Sequence, residues 1–201
     1  MKHASDYRKQ AWSALSGKWG MAILVFILYG LIVGVAGCTM VGAILLAGPM
    51  AVGYACVWLN LHRLGRVDIN DLFSGFNNFG NSLVMGLLSS IFVALWSLLF
   101  VIPGIVASYS YAMAPYILVD NPNIGGYEAI GASKAMMKGK RWKLFCLDLS
   151  YIGWLILCML TFGILTLWVS PSISAAHAAF YEDLKKEKAE TATAENNETA
   201  Q

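Results

Sequence analysis

Charge is scarce in this sequence. Asp, Glu, Lys and Arg make up 13% of its 201 residues, while 58% are hydrophobic. Soluble domains carry roughly twice that charge, about a quarter of all residues, so the balance argues against a soluble globular enzyme. It also argues against disorder everywhere except the polar C-terminal tail. The net charge of +2 is small, and no basic face stands alone, so no nucleic-acid partner is expected. Cysteine is sparse too. Cys38, Cys56, Cys146 and Cys158 are scattered through apolar stretches, with no CxxC and no Cys/His spacing for zinc. They read as small hydrophobes. A Walker loop, an HExxH pair and a nucleotide fingerprint are all missing, and Gly17-Lys18 lacks the spacing of a phosphate loop. No metal and no cofactor are expected.

What is present is long uncharged sequence. Lys18 and Arg63 enclose 44 residues without Asp, Glu, Lys or Arg, and Asp71 and Asp120 enclose 48 more. The 38 residues between Lys143 and Glu182 are interrupted only by Asp148. A helix needs about 20 residues to cross a ~30 Å hydrocarbon layer, so each block is two crossings long. Backbone groups cannot stay unpaired in lipid, which makes each block a helical hairpin. Glycine and proline mark the turns: Gly37-Cys38-Thr39-Met40, Val101-Ile102-Pro103-Gly104 and Thr161-Phe162-Gly163, with Gly48-Pro49 a competing break in the first block. The expected fold is an all-α, polytopic membrane bundle forming one domain over 1–183. Its six spans lie near 20–37, 41–61, 81–101, 104–119, 144–160 and 164–181. The low-complexity run 184–201 reads as a disordered cytoplasmic tail.

All fourteen basic residues lie at the N-terminus, between the blocks or in the tail, and none lies in a hairpin turn. The positive-inside rule then puts both termini and both long loops in the cytoplasm. Trp12, Trp19, Trp58 and Trp142 sit near the inner ends, as an aromatic belt would. Val35-Ala36-Gly37-Cys38 resembles a lipoprotein cleavage site, but a long polar stretch precedes the first apolar run and five further spans follow.

Each hairpin follows an amphipathic stretch. The first is 4–18, with Ala4, Tyr7, Ala11 and Leu15 on one side. The second is 69–79, with Ile69, Leu72, Phe73, Phe76 and Phe79 at helical spacing, and the third is about 124–140, with Tyr127, Ile130 and Met137 on one face. Such segments lie flat in the headgroup region, basic side outward. The first and third end alike, in Ser16-Gly17-Lys18-Trp19 and Lys138-Gly139-Lys140-Arg141-Trp142. These features suggest a threefold repeat, visible in composition more than in identity. Spans 1, 3 and 5 are bulky, whereas spans 2, 4 and 6 carry small and polar residues that let helix backbones approach closely. An inner bundle of spans 2, 4 and 6 follows, kinked at Pro49, Pro115 and Pro171.

The candidate site is polar. Span 6 carries Ser170, Ser174, His177 and Tyr181 at helical spacing, and Asp148 lies in span 5. Reflecting the third block about its turn sets Lys143 level with Glu182 and Asp148 level with His177. Both sit roughly 7–8 Å inside the boundary at ~1.5 Å per residue. A lone carboxylate costs about 2.5–3.5 kcal/mol at full depth on insertion scales, so Asp148 and His177 are expected to pair, as a polar clasp or a proton-linked site. Tyr111, Tyr151 and Ser174 are the substitute partners. Ser, His and Asp together also admit a hydrolase reading, but no oxyanion hole is recognisable.

The runs Asp71-Leu72-Phe73-Ser74-Gly75-Phe76, Ile102-Pro103-Gly104-Ile105 and Tyr116-Ile117-Leu118-Val119-Asp120-Asn121-Pro122 resemble a bacterial integral membrane family. So do Ser133 to Gly139, Leu144 to Trp154 and Ala178 to Leu184. The family is domain-of-unknown-function family nine-seven-five, and the resemblance covers about 5–184. It implies a multi-pass membrane protein of the bacterial cell membrane with no known activity, so no functional residue is carried over. The leading expectation is therefore a structural, stress-related or accessory membrane protein, not an enzyme. Its partner is the lipid bilayer, with membrane-protein partners or self-association left open. A small transporter or permeation subunit using spans 2, 4 and 6 is the alternative, and a membrane-embedded enzyme the third reading.

Overall fold

The computed structural model describes residues 4–99, 101–161, 163 and 165–199. Every regular element among them is helical. In chain order they are α1 (Ala4–Leu15), α2 (Trp19–Gly37), α3 (Met40–Leu64), a 3₁₀ turn over Asn70–Phe76 and α4 (Phe79–Leu99). Then come α5 (Val101–Tyr111), α6 (Ala114–Asp120), α7 (Gly126–Met136), α8 (Arg141–Leu149), α9 (Ile152–Leu160) and α10 (Thr166–Thr199). Among the described residues five segments are long and apolar enough to cross a membrane: Trp19–Gly37, Gly42–Leu64, Phe79–Leu98, Ile102–Asp120 and Arg141–Met159. This pattern points to a membrane protein. The expected sixth span, in α10, is not among the five. Its serines, Pro171, His177 and the charged residues from Glu182 onward dilute the apolar signal.

The two halves of each apolar block differ in burial. Gly42–Leu64 is 50% buried and Ile102–Asp120 44%, against 17% for Trp19–Gly37, 11% for Phe79–Leu98 and 25% for Arg141–Met159. Helices rich in Gly, Ala and Ser therefore sit inside, and bulky Leu, Ile and Phe face outward. On α10, Ala175, Ala176, Ala178 and Ala179 are all buried. The reason is packing distance, because lipid tails give apolar helices no drive to associate and contact must come from close backbone approach. The crossing of α3 and α4 shows it: a Cβ on Gly86 would stand 2.5 Å from the Gly48 Cα. The 3₁₀ turn is seated on α3 in the same way, with a Cβ on Gly53 falling 1.7 Å from the Leu72 carbonyl oxygen.

Local sequence sets the breaks. The Thr39 hydroxyl accepts the Gly42 N–H at 3.2 Å and starts α3, which then runs through Gly48-Pro49 without a break. The Pro-Gly signal does not mark the second turn, because Val101, Ile102, Pro103 and Gly104 all belong to α5. Pro103 lies in the first turn of α5, where its missing N–H would have had no helical partner. The third turn falls between Leu160 and Thr166, with Gly163 at φ 83°, while Phe162 lies outside the described residues. Gly17 and Gly139 both take left-handed angles, φ 76° and 75°, just before α2 and α8. The likeness of those two junctions in sequence is thus a likeness of backbone, which only glycine adopts at low cost.

Several expectations need correction. The stretch 104–119 is not one helix but α5 and α6, parted at Ala112–Met113 ahead of Pro115. Likewise 144–160 is α8 and α9, parted at Ser150–Tyr151. The amphipathic stretches do not simply float in the interface. Tyr7, Ala11 and Leu15 of α1 are buried in protein, and the Tyr7 ring meets Phe180 of α10 edge-on at 5.5 Å. In the second stretch Leu72 is buried in protein, whereas Phe73 is 44% exposed and keeps ring contact with Phe76 at 6.3 Å, as Phe76 does with Phe79 at 6.2 Å. In the third, Ile130 and Met137 are buried whereas Tyr127 is 66% exposed. Trp58 is fully buried and is no belt residue. Finally, 184–199 is not irregular, since α10 continues to Thr199. Leu, Lys, Glu and Ala carry it as strong helix formers, and Lys140 forms an ion pair with Glu187.

Two measurements follow. Gly53→Ala should cost about 1–3 kcal/mol of stability through overpacking. Gly131→Ala, on an open part of α7 with nothing within 4 Å, should be neutral or slightly stabilising. Denaturant unfolding in detergent micelles compares the two. The hydrogen bond from Lys140 holds the Glu187 carboxyl below its ordinary range. A depressed carboxylate contributes stability that is full above its unfolded pKa and is lost as pH falls through the folded value. Limited proteolysis within 184–199 should therefore accelerate on acidification below the ordinary glutamate range, and Glu187→Gln should abolish that pH response.

Candidate functional site

α10 is the element on which the polar residues converge, and three of them, Ser174, His177 and Tyr181, each bond a different helix. Ser174 meets Tyr54 of α3 at 3.0 Å between hydroxyl oxygens, and its own hydroxyl also reaches the Ser170 carbonyl at 3.1 Å. His177 meets Asp148 of α8, with Nε2 and Oδ1 2.7 Å apart. Tyr181 donates its hydroxyl to Asp120 of α6 at 3.0 Å. Ser170 contributes its backbone oxygen to this seam. The stripe read from sequence is thus not a single pocket. It is a row of fastenings along one helix.

Asp148 stands one residue before the end of α8, where that helix breaks from α9. Its second oxygen accepts the Tyr109 hydroxyl of α5 at 2.9 Å. Both carboxylate oxygens are therefore occupied, one by a phenol and one by an imidazole, and three helices meet at one side chain. With Asp148 ionised, the bonded Nε2 of His177 carries the proton whether the ring is neutral or charged. The side chains of His177 and Asp148 are 25% and 30% exposed, so the clasp lies at the edge of the bundle, not at its centre. Of the substitute partners, Tyr151 donates instead to the Ser172 carbonyl at 3.3 Å, and Tyr111 packs on the Phe92 ring at 6.1 Å. The Ser174 hydroxyl faces Tyr54, not His177, so the serine, histidine and aspartate do not form a nucleophilic relay. Among the described residues no three His, Cys, Asp or Glu side chains gather as a metal site.

A second centre escaped the sequence reading. Arg63 at the end of α3 holds Asp120 with both terminal nitrogens, at 2.7 and 3.0 Å, and its Nε donates to Glu182 at 2.6 Å. Lys185 adds a contact to Asp120 at 2.6 Å, and the Asp120 side chain is only 7% exposed. A planar guanidinium against a carboxylate is among the strongest pairings available to side chains. Here it ties the ends of α3 and α6 to the middle of α10. A signal for it existed. Each uncharged block closes on one of these residues, namely Arg63, Asp120 and Glu182, and opposite charges at one level of adjacent helices must pair or pay desolvation. Tyr109 left no such signal. At ~1.5 Å per residue it lies roughly 16 Å from Asp120, about twice the depth of Asp148, and the count fails because that span is broken.

Residues 97–188 match a family model described as Protein of unknown function (DUF975). That match supports the family which the sequence resembles. No curated protein and no solved structure matches the chain. Within DUF975 the matched segment holds Tyr109, Asp120, Asp148, His177, Tyr181 and Glu182, while Tyr54 and Arg63 fall before it. The family segment thus carries the whole clasp but only part of the charged centre.

Removing either half of the clasp tests its strength. Asp148→Ala and His177→Ala should each destabilise the protein, and the double variant should cost less than their sum by about 0.6–1.7 kcal/mol, the range found for polar contacts between membrane helices. Unfolding of the four proteins in mild detergent supplies the cycle. A coupling near zero would show the contact to be idle.

Proposed function

We propose that the chain is a six-span bacterial cell-membrane protein without a catalytic site of its own, serving a structural, stress-related or accessory role. Its six helical crossings form three hairpins, and both termini and both long loops face the cytoplasm, where the basic residues lie. The observation that carries the reading is the filled space between α3, α6 and α10. Ala175, Ala176, Ala178 and Ala179 are at most 4% exposed, and Tyr116 stacks on Tyr181 at 5.4 Å. A permeation pathway through the inner bundle would need that space open, so the transport alternative is not favoured. The polar stripe of α10 supports the same reading, because Ser174, His177 and Tyr181 are each consumed in holding a different neighbouring helix.

Purified protein in liposomes should leave ion and proton permeability at the level of empty vesicles. Single cysteines introduced in a background lacking the native four should react with an impermeant reagent from outside at position 104, and at position 190 only after lysis. Flux above the empty-vesicle level would return the bundle to the transport reading. Labelling of position 190 from outside would invert the topology.

A further inference from the structure

α1 is fastened at the charged end of the bundle. The Tyr7 hydroxyl donates to Asp183 at 2.9 Å, and Gln10 meets His62 at 2.9 Å, beside Arg63 and Glu182. In a membrane, this is the level of the phospholipid headgroups. With Tyr7, Ala11 and Leu15 turned into protein, Arg8 and Trp12 lie together one helical turn apart, facing the break between α8 and α9. Arg8 spends one N–H on the Ser150 carbonyl at 3.0 Å, an oxygen left outside both helices by that break. Trp12 lies 5.7 Å from the ring of Trp154 and 5.1 Å from that of Trp19. Between α1 and α9 this leaves an open cleft of about 350 Å³, lined by Arg8, Lys9, Trp12 and Trp154. Next to Trp154, Ile152 and Leu157 are exposed on the outward surface of α9.

We propose that this cleft binds a bilayer phospholipid with an anionic headgroup, its phosphate held by Arg8 and Lys9 and its glycerol and upper acyl carbons laid against Trp12 and Trp154. Three features select that occupant. Among the described residues no carboxylate is within ion-pair distance of Arg8 or Lys9, so two cations stand at the rim without an internal counter-charge. The cleft wall is indole, which prefers the boundary between headgroup and hydrocarbon. The floor continues into the apolar outer surface of α9, so a ligand with a charged head and an apolar body fits where a soluble anion would leave the tryptophans wet. A second basic cavity, of about 380 Å³, is lined by Lys138, Lys140 and Lys188, but Lys140 is already paired with Glu187 and no aromatic ring lines it. It serves as the control.

The inference rests on the membrane placement proposed above, and the experiment separates the two. Flotation with pure phosphatidylcholine vesicles tests placement alone, and failure to float sinks that reading before the lipid question arises. Protein that floats is then extracted from equimolar phosphatidylglycerol and phosphatidylcholine, and its retained lipid is counted by native mass spectrometry. The wild type should retain phosphatidylglycerol roughly tenfold over phosphatidylcholine. Lys9→Gln, which breaks no ion pair among the described residues, should lower that preference roughly fivefold, the scale expected for one cation near a surface. Trp12→Leu should lower total retention, and the pair Lys138→Gln with Lys188→Gln should change neither. Equal retention of the two lipids by the wild type, an unchanged preference in Lys9→Gln, or loss of preference in the lysine control would each overturn the proposal. Arg8→Gln is the weaker test, since Arg8 also holds the Ser150 carbonyl.

Discussion

Helices in lipid have no hydrophobic reason to touch one another, and the architecture follows from that constraint. Only close backbone contact and side-chain bonds between helices remain to assemble a bundle. The chain uses both. Glycines let α3 approach α4 and the 3₁₀ turn to within backbone distance. α10 supplies the bonds, reaching α3 through Ser174, α8 through His177 and α6 through Tyr181. The charged centre around Asp120 then closes the end of the bundle, where water and headgroups would otherwise compete for every one of its groups.

The same constraint explains which parts of the molecule could be read from sequence. Charge and hydropathy mark where apolar helices begin and end, because the cost of a charge in hydrocarbon is large compared with anything local. Small residues mark which helices lie inside, for the reason just given. Depth counting works where no break intervenes: Asp148 is counted from Lys143 within α8 and His177 from Glu182 within α10, and the two meet at 2.7 Å. It fails at Tyr109, because the span carrying it is broken at Ala112–Met113. Rotation about a helix axis is not encoded in depth at all, which is why Tyr127 stands exposed apart from the buried Ile130 and Met137 whose face it was assigned to share. The helix over 184–199 was illegible for another reason. Composition alone cannot tell a solvated helix from a solvated coil, and the contact that favours the helix, Lys140 with Glu187, is tertiary.

Both breaks in the apolar helices lie beside polar work. The Ser150–Tyr151 break presents a carbonyl to Arg8, and the residue two before it is Asp148. Close to the Ala112–Met113 break, the Ser110 carbonyl accepts the buried Ser133 hydroxyl at 2.7 Å. Backbone freed at membrane depth is tolerated only where protein re-satisfies it, and here α1 and α7 do so. The amphipathic segments therefore have a duty beyond lying at the surface, since they supply partners that lipid cannot.

The unbroken course of α10 from Thr166 to Thr199 has a mechanical consequence. Beyond Glu182 it extends roughly 25 Å at ~1.5 Å per residue, as a lever whose short arm carries Tyr181, His177 and Ser174. A side load at the far end would be felt as torque at the Asp120 centre, with the Lys140 contact as the nearest fulcrum. Whatever pulls on that rod pulls on the three contacts that hold the bundle together.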